Sequence, residues 1–327
     1  MNVLSLFDGI SCGRIALDRA GISVDKYYAS EIDKNAIKIS KNNYPDIIQL
    51  GDVTYWEAWD LPKIDLLIGG SPCTNLSFAG NGEGLEGEES SLFYYFVDIL
   101  KSVKPKYFLL ENVKMKKEWS DIISKELGVE PILINSSLVS AQSRQRLYWT
   151  NIPNVTQPID KHIYLKDIVM DDVEPVVLHN LYGGFNERSV RVFENKSPTL
   201  RTPKGGGHIP SFVKKDLIHS EKAIEYMNRK TKDGRNHWDF GHYSDISKEK
   251  SAIVTANFFK GVPYNVFKDW DCIRKFHPVE CERLQTLPDG YTHTEGVSNT
   301  NRYKAIGNGW TVDVIVHIFK GLNNEIL

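Results

Sequence analysis

Six short runs rich in apolar residues punctuate the first 150 positions: "NVLSLF", "KYYAS", "IDLLIG", "KPKYFLLE", "PILINSSLV" and "RLYWT". They read as strands, and several are almost continuously apolar, as parallel strands covered on both faces are. Between them "CGRIALDRAG" reads as a helix stopped by Gly21, and "SLFYYFVDILKSV" sets Leu92, Phe96, Ile99, Leu100 and Val103 along one helical stripe. This alternation predicts an α/β sheet wound from strand-helix units. From about residue 172 to 300 the pattern gives way to turns, aromatics and polar residues, and helical periodicity returns in "HPVECERLQTL" and "GWTVDVIVHIFKGL". The outline is a catalytic and cofactor-binding domain, residues 1–172 plus 300–327, interrupted by a smaller irregular domain, residues 173–299.

Composition narrows the class. With 41% hydrophobic and 25% charged residues the chain has the balance of a folded globular protein. No apolar stretch approaches the ~20 residues that span a bilayer, and no basic-then-apolar leader opens the sequence, so a soluble cytoplasmic protein without membrane contact is expected. The cysteines at 12, 73, 272 and 281 form no C-x-x-C pair and have no nearby histidine pattern, which favours neither zinc nor a disulfide framework. The formal net charge of −2 conceals a split: residues 174–270 hold sixteen Lys/Arg against eleven Asp/Glu, a basic part suited to facing phosphate.

The candidate chemistry sits at predicted strand ends. "LSLFDGISCG" runs from a strand through a glycine turn into a helix, the place where open α/β sheets bind ligands, although it is not a G-x-G-x-x-G dinucleotide turn. Glu31 follows the next strand, about twenty residues on, where a carboxylate can accept both hydroxyls of a ribose, and Asp52 follows a third. A helix cap or a surface acid is the commoner fate of either residue taken alone, but three polar strand ends in succession suit an adenosyl cofactor. "DLLIGGSPC" repeats the strand-to-turn design and ends on Cys73, a residue type that, taken alone, is more often buried filler than nucleophile. "FLLENV" adds Glu111 and Asn112, and "SAQSRQRLYW" adds Gln142, Arg144 and Arg146. Alternation along the strands lines up Cys, Glu and two Arg on one rim of one sheet.

In order and wording these segments resemble the cytosine-C5 DNA methyltransferases: "FDGISCG", "GGSPC", "ENV", "QSRQR", then "HPVECERLQTLPDGY" and "RYKAIGNGWTVDVI". The resemblance covers residues 1–153 and 272–327, with a variable insert between. "VSAQSRQRLYWTNIP" is most like the animal de novo enzymes, while the compact length suits a bacterial or phage protein. The resemblance implies a Rossmann-like sheet that binds S-adenosylmethionine, with the insert as target-recognition domain. It implies that Cys73 attacks C6 of a cytosine flipped out of double-stranded DNA, that Glu111 acts at N3, that Asn112 holds the loop, and that Arg144 and Arg146 bind the base O2 and a nearby phosphate. No metal is implied.

For the cofactor, the matching positions are Phe7 and Ile10 against the adenine, Asp8, Gly9, Ser11, Cys12 and Gly13 as the loop, and Glu31 on the ribose. Ile32, Asp52 and Val53 lie around the adenine, Pro72 and Leu92 behind it, and Asn308 and Trp310 complete the pocket. The segment after Cys73, expected to close over the flipped base, departs from many relatives: Glu83, Glu86, Glu88 and Glu89 are present and no Lys or Arg. DNA reading falls to the insert, where Arg201, Lys204, Arg235, His237 and Trp238 are the candidates. A transfer-RNA cytosine methyltransferase and an inactive DNA-binding homologue are the alternatives. The expected setting is a monomer acting in a bacterial cytoplasm, with or without a cognate restriction endonuclease.

Overall fold

The computed structural model describes residues 1–72, 92–168, 170, 195–199 and 276–323, and the backbone alone of 176–179, 191–193, 211–214 and 272–275. In chain order the first elements are β1 (Asn2–Leu6), α1 (Cys12–Arg19), β2 (Lys26–Ser30), α2 (Lys34–Asn43), β3 (Ile48–Gln49) and β4 (Leu66–Gly69). There follow α3 (Leu92–Val103), β5 (Tyr107–Val113), α4 (Lys117–Leu127), β6 (Ile132–Asn135), β7 (Gln142–Ser143) and β8 (Gln145–Thr150). One seven-stranded sheet takes the order β3-β2-β1-β4-β5-β8-β6. Neighbours from β3 to β5 pair in parallel, and β8 runs antiparallel to both β5 and β6. The wound α/β architecture expected from the periodicity is therefore present.

Apolar side chains on the two faces of this sheet make two cores. One gathers Val3, Tyr27, Ala29, Leu66 and Ile68 with α1 and α2. The other gathers Leu4, Leu6, Leu67 and Leu110 with α3 and α4. In α3 the fully enclosed positions are Phe93, Phe96, Val97 and Ile99. The predicted stripe of Leu92, Leu100 and Val103 packs at its margin, because the helix is apolar around more than one face.

The insert contributes β9 (Val176–His179), β10 (Arg191–Phe193), β11 (Ser197–Pro198) and β12 (Ser211–Lys214), and β13 (Cys272–Lys275) follows. Four of these form an antiparallel sheet, β10-β9-β12-β13, while β11 pairs in parallel with β7. The chain then forms α5 (Pro278–Leu284), α6 (Asn299–Asn308) and α7 (Val312–Asn323). In α7, Val312, Ile315, Ile318, Phe319 and Leu322 repeat at helical spacing and complete the first core against α1. Leu287 and Tyr291 already belong to that core, and the Tyr291 hydroxyl donates to the Ile10 carbonyl at 2.8 Å, so the return to the α/β domain begins before residue 300. Among the described residues no helix is long and apolar enough to cross a membrane.

Candidate active site

Parallel winding brings the carboxyl ends of β1 to β5 to one edge, where the side chains of interest collect. The turn after β1 holds three left-handed residues within five positions, Phe7 (φ 56°), Gly9 (φ 60°) and Ser11 (φ 60°). For Phe7 and Ser11 that conformation is costly, and neighbouring contacts must hold it. Asp8 supplies them: its carboxylate accepts from the hydroxyls of Ser5 (2.6 Å), Tyr27 (2.8 Å) and Ser11 (2.5 Å). Desolvation raises the Asp8 pKa, and these same bonds oppose the rise.

Glu31, just past β2, accepts from the backbone N–H groups of Gly9, Ile32 and Asp33, each at 2.8 Å. Its carboxylate thereby fixes the β1 turn against the β2 turn and keeps lone pairs for further donors. Beside it Ile32 is 71% exposed, an apolar side chain with no apolar cover, and Phe7 is half-buried. A fixed carboxylate that can accept from hydroxyls, next to an exposed apolar face, is the arrangement that a ribose joined to a purine needs, so these residues fit the adenosyl moiety of S-adenosylmethionine. Asp52 caps the short helix that follows, accepting from the Thr54 N–H at 2.9 Å, and Val53 is buried. Ile10 and Cys12 lie inside the first core instead of facing open space, and burial pushes the Cys12 thiol up to about 12.

The side chains expected to be catalytic lie, as far as they are among the described residues, around the turn after β4. Asn112 is buried and donates through Nδ2 to the hydroxyl (3.0 Å) and carbonyl (3.4 Å) of Ser71, while its Oδ1 accepts from the Val113 N–H. Gly70 is enclosed between two side chains: a Cβ there would lie 2.8 Å from Trp310 Nε1 and 3.1 Å from Glu111 Oε2. Gly13 is tightly overlaid by Ile68 and the Tyr27 hydroxyl, with the Trp310 ring in ordinary contact beyond them. Glu111 is buried, and its Oε1 is paired with Arg146 Nε at 2.9 Å. The antiparallel direction of β8 makes this pair possible: Val113 faces Arg146 in the register, so Glu111 and Arg146 are diagonal neighbours on one face.

The two arginines of "QSRQR" part company. Residue 144 falls between β7 and β8, where its N–H donates to Asn135 Oδ1 and its carbonyl accepts from the Ser136 N–H, both at 3.0 Å. Arg144 as a whole is 4% exposed, and its guanidinium turns to the end of α6 and donates to the carbonyls of Gly307 and Gly309, whereas Arg146 turns to Glu111. Uninterrupted strand alternation had put both on one rim; the break between β7 and β8 separates them.

Pro72 and Leu92 border the undescribed segment and are half-buried, Asn308 is exposed, and Trp310 is half-buried against the first core. Cys73, the four glutamates that follow it, and Arg201, Lys204, Arg235, His237 and Trp238 lie outside the described residues.

Sequence reasoning missed a buried polar knot joining Gln142 to the C-terminal segment. Gln142 Nε2 donates to Leu284 O and Gln285 Oε1, both at 3.1 Å, and Thr311 donates to Gln285 Oε1 at 2.8 Å. The available signal was a glutamine placed inside the apolar run "LQTL". Among the described residues no cluster of three His, Cys, Asp or Glu is placed to hold a metal ion.

Comparison with known proteins gives one consistent family. The model of the C-5 cytosine-specific DNA methylase family matches residues 1–324. An orphan methyltransferase of Bacillus phage SPR is 26% identical over 428 residues, covering 98% of this chain and 97% of its own. The type II methyltransferase M1.ScrFI of Lactococcus lactis subsp. cremoris is 28% identical over 321 residues, covering 96% and 75%. Among solved structures, a mutant of DNMT2 from Spodoptera frugiperda shares the fold, with a TM-score of 0.61, 20% identity, and coverage of 98% and 99%.

Proposed function

Because the chain belongs to the C-5 cytosine-specific DNA methylase family, it is a DNA cytosine-5 methyltransferase, and we propose that Cys73 is its nucleophile, Glu111 its acid and Arg146 the cation that holds that acid in place. S-Adenosylmethionine supplies the electrophilic methyl group, carried on a sulfonium. Cytosine C5 is too weak a nucleophile to take that methyl directly. The Cys73 thiolate therefore adds through sulfur to C6, which turns C5 into an enamine carbon. Glu111, presenting a proton toward N3, drains the charge that this addition creates. Once C5 is methylated, loss of its proton re-forms the C5–C6 double bond and expels Cys73. Because C6 is stacked inside a duplex, the base must first leave the helix.

One observation carries the reading. The Glu111–Arg146 ion pair, at 2.9 Å, stands at the same sheet edge as Ser71–Pro72, the step that leads into Cys73, and Asn112 ties that step down. Glu31, Ile32 and the β1 turn support the cofactor half of the reading. We assign target recognition to residues 173–299, with Arg201, Lys204, Arg235, His237 and Trp238 on DNA, and assign the protein to a bacterial cytoplasm as a monomer, phage-encoded or beside a cognate endonuclease.

The test is a covalent trap. Duplex DNA carrying 5-fluorocytosine, incubated with S-adenosylmethionine, is expected to form an adduct that Cys73→Ala abolishes. An equal adduct from the variant refutes the mechanism, and faster methyl transfer to bulk tRNA than to DNA refutes the substrate. Bisulfite sequencing of DNA from expressing cells reads the target sequence.

A further inference from the structure

The last turn of a helix leaves carbonyls without intrahelical partners, and leaving them unpaired in a buried place is costly. At the end of α6 two side chains from distant parts of the chain answer this need. Gln285 Nε2 donates to the carbonyls of Ile306 (2.9 Å) and Gly309 (3.2 Å). The Arg144 guanidinium donates to Gly307 O (3.4 Å) and Gly309 O (3.2 Å), setting a buried positive charge on the negative end of the helix dipole. On the opposite side Gly309 lies against Cys12, whose sulfur would be 3.2 Å from a Cβ added there. The peptide entering Trp310 is thus held from both sides.

Trp310 in turn overlies two glycines, Gly13 of the cofactor turn and Gly70 ahead of Ser71–Pro72. From this chain of contacts we infer that Arg144 is a positioning residue, which shapes the cofactor pocket by fixing Trp310 through the Gly309 carbonyl, and that its contribution is to cofactor affinity and not to phosphate contact. The inference rests on the methyltransferase reading for the identity of the ligand.

Binding of S-adenosylhomocysteine, measured by titration calorimetry on the full chain, reads it directly. Arg144→Ala and Gln285→Ala are each expected to weaken binding roughly tenfold. Arg144→Lys, which keeps a cation able to reach one carbonyl, is expected to recover part of the loss. DNA affinity without cofactor, and its salt dependence, stay at the wild-type value in Arg144→Ala, and Arg146→Ala leaves S-adenosylhomocysteine affinity within about twofold.

A double-mutant cycle guards against a general loss of structure. In a Trp310→Ala background the effect of Arg144→Lys on binding is expected to disappear, and strictly additive losses overturn the inference. So does an unchanged S-adenosylhomocysteine affinity in Arg144→Ala, or a salt slope reduced by about one phosphate. A wild-type chain that methylates no DNA, while Arg144→Ala still loses S-adenosylhomocysteine, refutes the functional reading and leaves this one standing.

Discussion

Gly70 concentrates the demands on single residues. Its missing side chain is where Trp310 Nε1 and Glu111 Oε2 converge, and neither is the free end of a flexible chain: the indole is rigid and the carboxylate is held by Arg146. Gly70→Ala is expected to lower stability by ~1–3 kcal/mol, the usual cost of overpacking, and to cut turnover further by moving Glu111. Thermal melts and single-turnover rates on the same preparation check both. Cys12 makes the opposite point. Burial raises its thiol to about 12, so the thiolate is scarce at neutral pH. In native protein at pH 8, iodoacetamide is expected to leave Cys12 unmodified, with labelling on unfolding, as peptide mass spectrometry can follow. At this scale Glu31, Glu111 and Asn112 stood out in the sequence because each comes at the end of an apolar strand, or just past it, in a recognisable string. The placement of the Arg144 side chain was not legible, because nothing local tells that a two-residue strand ends at Ser143.

Among elements, helix ends carry the informative energetics. Asp33 caps α2 by accepting from the N–H groups of Asn35 (2.8 Å) and Ala36 (3.2 Å), and it pairs with Lys304 of α6 at 2.5 Å. Burial pushes its carboxyl up, but the lysine and the two N–H groups outweigh burial and leave it below its usual range. The folded protein therefore holds this proton less tightly than the unfolded chain. The stabilisation is complete above about pH 4 and is lost as pH falls through the lower folded value. Melting temperature followed from pH 6 to pH 2.5 is expected to fall less steeply in Asp33→Asn than in wild type. That variant should also be less stable at pH 6.

A second junction is harsher. Glu282, fully buried at the end of α5, accepts from the N–H groups of Gly290 and Thr292, the Thr292 hydroxyl and Arg302 Nη2. Arg302→Met strands that carboxylate and is expected to cost about 3–5 kcal/mol in a urea titration. Strands and amphipathic helices were readable because apolar periodicity marks them. The helix α6 was not, because "NTNRYKAIGN" is polar and glycine-bearing and gains its stability from Ser298, Gln285 and Arg144 around it.

At the scale of the molecule, the sheet order puts Glu31, Glu111 and the Ser71–Pro72 step on one edge, and the antiparallel β8 brings the sequence-distant Arg146 to Glu111. The overall plan was legible, since strands alternating with helices leave few other topologies. The early return of the chain was not, because Tyr291 belongs to no periodic run. The two parts of the α/β domain meet through packed side chains: Val312, Ile315, Ile318, Phe319 and Leu322 from one part, Ile15, Ala16 and Leu17 from the other. Burying each large apolar residue contributes ~1.5–3 kcal/mol, ample for association without a covalent link. Separate polypeptides spanning residues 1–214 and 215–327 are expected to copurify and to bind S-adenosylhomocysteine together, while neither binds it alone. Placed under two promoters, such half-genes would turn cytosine methylation into a coincidence detector, leaving a heritable mark only on DNA of cells in which both were expressed at once.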